Sequence, residues 1–390
     1  MTSLPRVAVL HPELRGGAGS EATAVWLAQA LAGVCRVTLA SMGPVDLPKL
    51  DGIYGTSLSS GGIEILAIPF PRGPARKFDA LRSYPLGRWA RKNSGAFDLM
   101  ISTYNVMDFG RPGIQFIADF SFDDGLRREL HPPVPGIGSV FYRKTPLRAL
   151  YLGLGRRLAR QSRDGWRDNL TLANSRWTRD IFERRFGVKA GVLYPPVHAD
   201  FAPTAWDRKE NGFVVMARMA PEKRVERTIA ILDEVRRAGH DVRLHILGRE
   251  DHRDYAKRIR GLCRERGAWA RFEGLVVGER KNALLAGLRY GLSACRNEAF
   301  GIGVAEMAAA GCVAWVPRGG GQVEIVDDED LVYDSDEEAV RKIVRVLEDG
   351  ERQAALGRHL GTRAALFGSG RFVEEARRVV SGFVNGGIRP

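Results

Sequence analysis

Two glutamates flank a short glycine-containing segment of the chain. Glu298 and Glu306 are separated by seven residues in the stretch "RNEAFGIGVAEMAAAG". Gly301 and Gly303 lie between them and allow a ligand to approach the backbone closely. We expect Glu306 in the first turn of a helix, where a carboxylate is favoured. The carboxylates could accept hydrogen bonds from a sugar and a ribose while the intervening amides face phosphate oxygens, which suits a nucleotide sugar. Helix capping and solubility would also account for two acidic residues here.

Two cations open the second half of the chain, in the stretch "ARMAPEKR". Arg218 lies just past a predicted strand, and Lys223 lies near the start of a predicted helix. A guanidinium offers a planar fork of donors to phosphate, and an ammonium offers a compact point charge. Together they could hold a diphosphate, whereas either one alone would be read as an ordinary solvated charge.

A glycine-rich loop, "LRGGAGSE", follows the first predicted strand and opens a helix. Its backbone amides, including those of Gly16 and Gly17, and the helix N-terminus are suited to a phosphate. The spacing matches neither G-x-G-x-x-G nor G-x-x-x-x-G-K-[ST]. A tight turn without a ligand is the alternative.

Alternating strands and helices must position these loops. Short apolar runs predict strands, and the segments between them show helical periodicity over about 10 to 15 residues. The predicted strands are 6–11, 36–41, 63–70, 97–103, 113–118, 170–175, 213–217, 242–248, 271–276, 290–295, 312–317 and 330–334. This alternation favours parallel sheets covered by helices on both faces, in which ligands bind at the carboxyl ends of strands.

The chain of 390 residues is too long for one typical core, and a proline-containing, aperiodic stretch near residues 195–211 predicts a linker. We therefore expect an N-terminal domain over 1–200, a C-terminal domain over 201–370, and a final helix and tail over 371–390 that returns to the first domain. The predicted fold class is α/β, with two Rossmann-like doubly wound domains facing a central cleft.

Composition narrows the functional classes further. A net charge of +13 implies an acidic partner such as a phosphorylated substrate, an anionic membrane or nucleic acid. No apolar run reaches the roughly 20 residues of a membrane span, and the N-terminus has neither a basic leader nor a small-residue cleavage site, so we expect a cytoplasmic location.

The residues that commonly bind metals are scattered along the chain. The four cysteines lack C-x-x-C spacing and predict free thiols, and the seven histidines are dispersed. The sequence "DSD" at 334–336 has the letters of a metal-binding D-x-D, but it precedes a helix and predicts an N-cap. We expect no metal site.

The motifs together resemble glycosyltransferase family 4, which comprises retaining enzymes of the GT-B fold. The resemblance rests on "EAFGIGVAE" and "ARMAPEKR", and it extends to "GGAGSE", "ANSRWTRDIF" and "VLYPPV". The fuller stretch "NEAFGIGVAEMAAAG" with "GGGQVEIV" is similar to GDP-mannose-dependent alpha-1,2-mannosyltransferases that extend dolichol-linked oligosaccharides.

The resemblance assigns roles to individual residues. Arg218 and Lys223 would bind the donor diphosphate and offset charge on the departing nucleotide, Glu298 would contact the donor sugar, and Glu306 the ribose. The remaining donor-binding residues that it implies are Gly16, Gly17, Phe300, Gly301, Ile302 and Gly303. It also implies front-face transfer with retention, no protein nucleophile and neither metal nor other cofactor, so the two carboxylates are not expected to act as those of a glycosidase.

One position departs from the family pattern. Many relatives carry a histidine near the donor sugar, after the strand that corresponds to "GIQFIADFSF". Ala118 and Asp119 occupy that region here. Either Asp119 takes over part of the catalytic role of the histidine, or the site is altered.

Residues 143–167 form a basic stretch, with eight Lys or Arg and a single acidic residue. Its leucines recur at helical spacing. Such a helix could rest on an anionic membrane, or it could pack its apolar stripe into the N-terminal domain and leave its cations in solvent.

The sequence therefore predicts a hexosyltransferase that uses a nucleotide diphosphate sugar, with GDP-mannose preferred and UDP-sugars open. The expected acceptor is a saccharide or lipid-linked saccharide, as in polysaccharide biosynthesis, with peripheral attachment to the inner face of the membrane. The alternatives are a catalytically silent nucleotide-sugar-binding protein, a nucleotide-sugar epimerase and a basic nucleic-acid-binding protein.

Overall fold

The computed structural model describes residues 4–71, 73, 79–131, 144–198, 200–202 and 204–386. The chain divides into two compact units. The first comprises Met1–Pro196 and Gly370–Pro390, and the second comprises Val197–Ser369. The first change of unit falls four residues before the predicted boundary at 200/201, and the return to the first unit begins at Gly370 rather than at 371.

The first unit is built on a seven-stranded parallel sheet. Its strands are β1 (Arg6–His11), β2 (Arg36–Met42), β3 (Glu64–Ile68), β4 (Leu99–Ser102), β5 (Ile114–Ile117), β6 (Leu170–Ala173) and β7 (Ala190–Val192). Their order is β3-β2-β1-β4-β5-β6-β7. The central strand β1 is buried from Val7 to His11, as expected where helices cover both faces of a sheet.

Helices connect these strands, and one further helix of the first unit comes from the C-terminal end of the chain. They are α1 (Gly19–Leu31), α2 (Leu47–Tyr54), α3 (Asp79–Asn93), α4 (Asp124–Leu130), α5 (Pro146–Ala159), α6 (Arg176–Phe186) and the C-terminal helix Ser369–Val384. That last helix buries Phe372, Ala376 and Val380 in the core of the first unit, together with Leu31 and other residues of α1. Its Arg377 Nε donates to the carbonyl oxygen of Ala30 at 2.6 Å.

The second unit repeats this architecture with six parallel strands. They are β8 (Glu210–Met216), β9 (Arg243–Leu247), β10 (Ala270–Gly274), β11 (Leu288–Leu292), β12 (Val313–Pro317) and β13 (Val332–Tyr333), in the order β10-β9-β8-β11-β12-β13. Its helices are α7 (Val225–Arg237), α8 (Arg253–Arg266), α9 (Gly278–Ala286), α10 (Ile302–Ala309), α11 (Val323–Val326), α12 (Asp336–Leu347) and α13 (Gly350–Ala365). The C-terminal helix that follows is therefore α14.

The predicted linker at 195–211 is more ordered than its composition indicated. Val197 pairs with Gly368 in a parallel bridge, and β8 already begins at Glu210. Hydrogen bonds to a segment more than 150 residues away hold this stretch, and no local pattern could have revealed them.

Several structural features bear on other functional classes. None of the helices in the described ranges combines the length and hydropathy that crossing a bilayer requires. Among the described residues, no group of three or more His, Cys, Asp or Glu side chains could hold a metal ion. The cysteines are free thiols, as predicted. Ser335 caps α12 by accepting from the amide of Glu338 at 3.2 Å, so "DSD" forms the predicted N-cap.

Candidate active site

Arg218 lies two residues past the end of β8, where β9 also ends. Its Nη1 donates to Asp251 Oδ2 at 3.0 Å, and its Nη2 donates to Glu222 Oε1 at 3.2 Å. A Cβ on Gly248 would lie 1.7 Å from the carbonyl oxygen of Ala217, so only glycine lets the two strand ends approach this closely. Burial opposes the charge of Arg218, but the hydrogen bond to Asp251 and the nearby carboxylates raise its pKa above the ordinary value.

Lys223 is paired with Glu298. It lies in a 3₁₀ turn before α7, and its Nζ donates to Glu298 Oε2 at 2.5 Å. The side chains are only 14% and 24% exposed. Burial alone would lower the pKa of Lys223, but Cys295 and Glu298 beside it raise that pKa. Burial alone would raise the pKa of Glu298, but Lys223 and then Arg218 hold it below its usual range. Both groups are therefore charged at neutral pH.

A second glycine segment fixes the backbone of Glu298. A Cβ on Gly320 would lie 2.4 Å from the carbonyl oxygen of Glu298, and the amide of Gly321 donates to that oxygen at 2.7 Å. The buried Gln322 donates from Nε2 to the carbonyl oxygen of Cys295 at 2.6 Å. The stretch "GGGQVEIV" was part of the motif resemblance in the sequence, but only the structure shows that it supports the loop of Glu298.

The start of α10 lies against the end of β8. Gly301 is its N-cap and has a positive φ of 99°, which favours glycine. A Cβ on Gly303 would lie 2.9 Å from the Cβ of Met216. Because the first amides of a helix have no intrahelical acceptor, Ile302 and Gly303 present N–H groups at this edge of the sheet. The structure thus brings the start of α10 to the strand edge from which Arg218 and Lys223 follow.

The expectation for Glu306 is wrong in one respect. Because α10 begins at Ile302, Glu306 lies in the second turn, where the charge of the helix N-terminus has weakened. Its Oε1 instead accepts from Lys281 Nζ at 2.5 Å, and both side chains are largely buried. Lys281 comes from α9 and belongs to no recognisable motif, so the sequence alone does not point to it.

Phe300 packs away from this edge. Its ring is buried and meets that of Phe367 at a centroid separation of 5.4 Å in an edge-to-face contact. In this conformation only the backbone of Phe300 can contact a donor.

Side chains of the first unit accept hydrogen bonds from the backbone amides of the glycine loop. The amide of Gly16 donates to Glu21 Oε2 at 2.5 Å, and the amide of Gly17 donates to the Tyr54 hydroxyl at 2.8 Å. That hydroxyl also accepts from the amide of Ala18 and donates to Glu21. Burial and then the charge of Glu21 raise the pKa of Tyr54, so the phenol keeps its proton. In this conformation the amides of Gly16 and Gly17 face a carboxylate and a phenol rather than a phosphate.

Asp119 follows β5 and is held in a polar network. Its Oδ1 accepts from Asn105 Nδ2 at 2.8 Å and from the amide of Ser121 at 2.9 Å, and its Oδ2 accepts from the Tyr104 hydroxyl at 3.0 Å. Asn105 has a positive φ of 63° and also accepts from the amides of Ala118 and Asp119. The carboxylate is therefore fixed in orientation.

A buried histidine that no sequence motif marks lies near this network. His11 ends β1, and its ring contacts that of Tyr104 at 5.8 Å. Its Nδ1 accepts from the amide of Glu13, which leaves Nε2 to donate to Ser20 Oγ at 3.3 Å. Burial lowers the pKa of His11 to about 4, so the ring is neutral at pH 7. The only sequence signal was a polar residue at the end of a buried strand.

Two α/β units, each built on a parallel sheet, are characteristic of the GT-B fold. Solved structures with this fold match the chain along nearly its whole length. HepE from Anabaena, in complex with UDP and glucose, matches with a TM-score of 0.69 and 15% identity, over 97% of this chain and 100% of that one. WaaG, a glycosyltransferase involved in lipopolysaccharide biosynthesis, matches with a TM-score of 0.71 and 15% identity, over 96% and 100%. These likenesses show the fold, and the GT-B prediction is confirmed.

The sequence comparisons relate the second unit to a known family. Residues 197–360, nearly the whole of the second unit, match the model for "Glycosyl transferases group 1". A GDP-Man:Man(3)GlcNAc(2)-PP-Dol alpha-1,2-mannosyltransferase of Dictyostelium discoideum is 24% identical over 244 residues, which is 56% of this chain and 48% of that protein. The chain thus spans about half the length of this relative. These matches confirm the resemblance to glycosyltransferases that the motifs indicated.

Proposed function

We propose that the protein is a retaining hexosyltransferase, which moves a hexose from a nucleotide diphosphate sugar to a saccharide hydroxyl. The observation that supports this most strongly is the cluster of Arg218, Lys223 and Glu298 beside the start of α10, within the region that matches the group 1 glycosyltransferase model. The cluster has cations for a diphosphate, a carboxylate for sugar hydroxyls, and backbone amides at a helix N-terminus.

Donor binding would replace the carboxylate partners of Arg218 and Lys223 with the donor diphosphate. Arg218 forms salt bridges with Glu222 and Asp251, and Lys223 forms one with Glu298. A diphosphate would draw both cations away from these carboxylates, and Glu298 would then be free to accept hydrogen bonds from the sugar. The cations would offset the charge that develops on the leaving diphosphate, which is usually the largest catalytic contribution.

Glu306 would accept from the ribose hydroxyls, and the backbone amides from Phe300 to Gly303 would face the phosphates. Gly16 and Gly17 would contact the donor phosphates or the acceptor only after Tyr54 and Glu21 release their amides.

The acceptor would be held by the first unit, with Asp119 as the group nearest in role to the histidine of other family members. The reaction would proceed on the front face of the donor, with a phosphate oxygen taking the acceptor proton. No metal or other cofactor takes part in this scheme.

For the donor we favour GDP-mannose, because the name of the Dictyostelium relative specifies GDP-Man. UDP-sugars are the alternative, since HepE was solved with UDP and glucose. The acceptor would be a saccharide or a lipid-linked saccharide, in a polysaccharide pathway on the cytoplasmic side of a membrane. Peripheral contact with the membrane through residues 143–167 is part of this proposal.

The first experiment is a thermal-shift panel of GDP-, UDP-, ADP- and dTDP-sugars, because a ligand that binds only the folded state raises its stability. We expect one nucleotide class to stabilise the protein, and stabilisation by none would contradict the proposal. Transfer to a saccharide acceptor should then follow with the donor so identified. Binding without transfer would identify a silent binding protein, isomerisation of the donor alone an epimerase, and salt-sensitive oligonucleotide binding without donor affinity a nucleic-acid-binding protein.

Stereochemistry and metal use need separate measurements. The anomeric configuration of the product, determined by NMR, should equal that of the donor. Turnover should persist in the presence of a chelator. An inverted product or full inactivation by chelation would refute the corresponding part of the scheme.

A further inference from the structure

Helix α5 presents its leucines to solvent. Leu147 and Leu150 are 75% and 72% exposed, which makes them the most exposed large hydrophobic side chains among the described residues, and Leu154 is 48% exposed. At 3.6 residues per turn the three lie within an arc of about 60° on one side of the helix. We call these three residues the leucine face. The alternative in which the apolar stripe packs into the N-terminal domain is therefore wrong for these leucines.

The opposite side of α5 is fixed to the first unit by a buried ion pair. Arg148 Nε donates to Asp124 Oδ2 at 2.8 Å, and its Nη2 donates to Asp124 Oδ1 at 3.1 Å. Thr145 caps the helix by accepting from the amide of Arg148, and Ala159 is buried near the other end. Because breaking a buried charge pair is costly, the rotation of α5 about its axis is set and the leucine face points outward.

Cations flank the leucine face. Lys144 precedes the helix, Arg157 lies about 20° around the helix from Leu150, and Arg160 is the C-cap. All three are exposed, and within the described part of the chain none of them forms a salt bridge with a carboxylate. Arg156 is also exposed but lies on the opposite side of the helix. Arg143, the first residue of the predicted basic stretch, lies outside the described residues. The whole chain carries a net charge of +13. The surface is thus apolar at its centre and positive at its edge, which is the pattern of a helix that lies in a membrane interface.

The positive charge around the leucine face favours an anionic bilayer over a second copy of the chain as its partner. A two-fold contact through the leucine face would place the same positively charged patch on both sides, so that Lys144, Arg157 and Arg160 of one copy would face the same cations of the other. Like charges repel across such an interface, whereas anionic lipid headgroups attract each cation.

We propose that the leucine face of α5 docks on an anionic lipid bilayer, with the leucines in the headgroup and acyl boundary and Arg157 and Arg160 at the lipid phosphates. The proposal extends the proposed function, since this contact would hold the protein at the surface where a lipid-linked acceptor resides. Vesicle binding can be measured without any donor, so failure of the membrane contact is distinguishable from failure of the proposed transferase activity.

The test is co-sedimentation of the full chain with vesicles of phosphatidylcholine, with or without phosphatidylglycerol. Wild-type protein should sediment with the anionic vesicles, and less so as salt increases. A variant with Leu147→Ser, Leu150→Ser and Leu154→Ser should lose at least about tenfold in partition coefficient, because most of its buried apolar area is removed. The matched control combines Leu275→Ser and Leu366→Ser, two exposed leucines of the second unit, and should bind like the wild type.

Three outcomes would overturn the proposal. They are the absence of wild-type binding to anionic vesicles, unchanged binding of the triple leucine variant, and a concentration-dependent dimer in sedimentation velocity that this variant abolishes. Circular dichroism and the donor thermal shift should be the same for all variants. Arg157→Gln with Arg160→Gln should weaken binding to anionic vesicles without changing the weaker binding to phosphatidylcholine alone.

Discussion

Replacing Lys223 by alanine should affect stability and donor affinity through two separable causes. In the folded protein Lys223 Nζ lies 2.5 Å from Glu298 Oε2, and both side chains are mostly shielded from water. Removing the lysine leaves a carboxylate whose main counter-ion is gone. Arg218 still lowers the pKa of Glu298, but it is engaged with Asp251 and Glu222.

The magnitudes follow from burial and from hydrogen-bond strength. A fully buried pair that loses one partner costs roughly 3 to 5 kcal/mol, and this pair is partly exposed, so we expect a loss of about 2 kcal/mol in the free energy of unfolding. A charge-assisted hydrogen bond to a donor phosphate contributes about 1.5 to 3 kcal/mol, so the Kd of the nucleotide sugar should rise by roughly 10- to 100-fold.

The double variant Lys223→Ala with Glu298→Gln separates the two causes. It removes the uncompensated charge and should recover most of the lost stability, measured by urea unfolding at pH 7. Donor affinity, measured by isothermal titration calorimetry, should stay as weak as in Lys223→Ala or fall further. Because the pKa of Glu298 is held below its usual range by Lys223, the stability difference between wild type and Lys223→Ala should shrink as the pH falls towards that pKa.

The matched control is Lys342→Ala. Lys342 is another shielded lysine of the second unit, paired with Glu338 at 2.9 Å. Its replacement should lower stability and leave donor affinity unchanged. An unaltered donor Kd in Lys223→Ala, or recovery of donor affinity in the double variant, would refute the assignment of Lys223 to the diphosphate.

Three further predictions concern other parts of the two units. Glu306→Ala should weaken GDP and GDP-mannose alike, by about tenfold in Kd by calorimetry, because a ribose contact is common to both; a loss confined to the sugar nucleotide would contradict the assignment. In the wild type, the unfolding free energy should fall by at most about 3 kcal/mol between about pH 6.5 and pH 4, because His11 binds a proton in the unfolded chain but not in the buried site. His11→Gln should flatten this fall, and a wild-type stability that does not fall over this range would refute the prediction. Tyr54→Phe should lower the unfolding free energy by about 1 to 3 kcal/mol and speed hydrogen exchange at the amides of Gly17 and Ala18, whose shared acceptor is removed; unchanged exchange would show that the amides are held by other groups.

The sequence by itself determined the two α/β units and most strands, because buried parallel strands are continuous apolar runs that helical periods separate. It did not predict α2, α4, α11, α13 or β7. The last of these has only three residues at the sheet edge, none of them buried, so it lacks the apolar signal. The sequence also identified the residues after β8 and β11 as candidates, because in such a sheet the strand ends share one edge.

The tertiary structure alone decided which groups neutralise one another. Glu306 pairs with Lys281 rather than with a helix N-terminus, and Tyr54 occupies the amides that a phosphate was expected to take. These contacts join residues more than 20 positions apart in separate elements, and no local pattern encodes them. The same reason applies to α5: its periodicity defines an apolar stripe, but only the buried pair of Arg148 and Asp124 determines that the stripe faces outward.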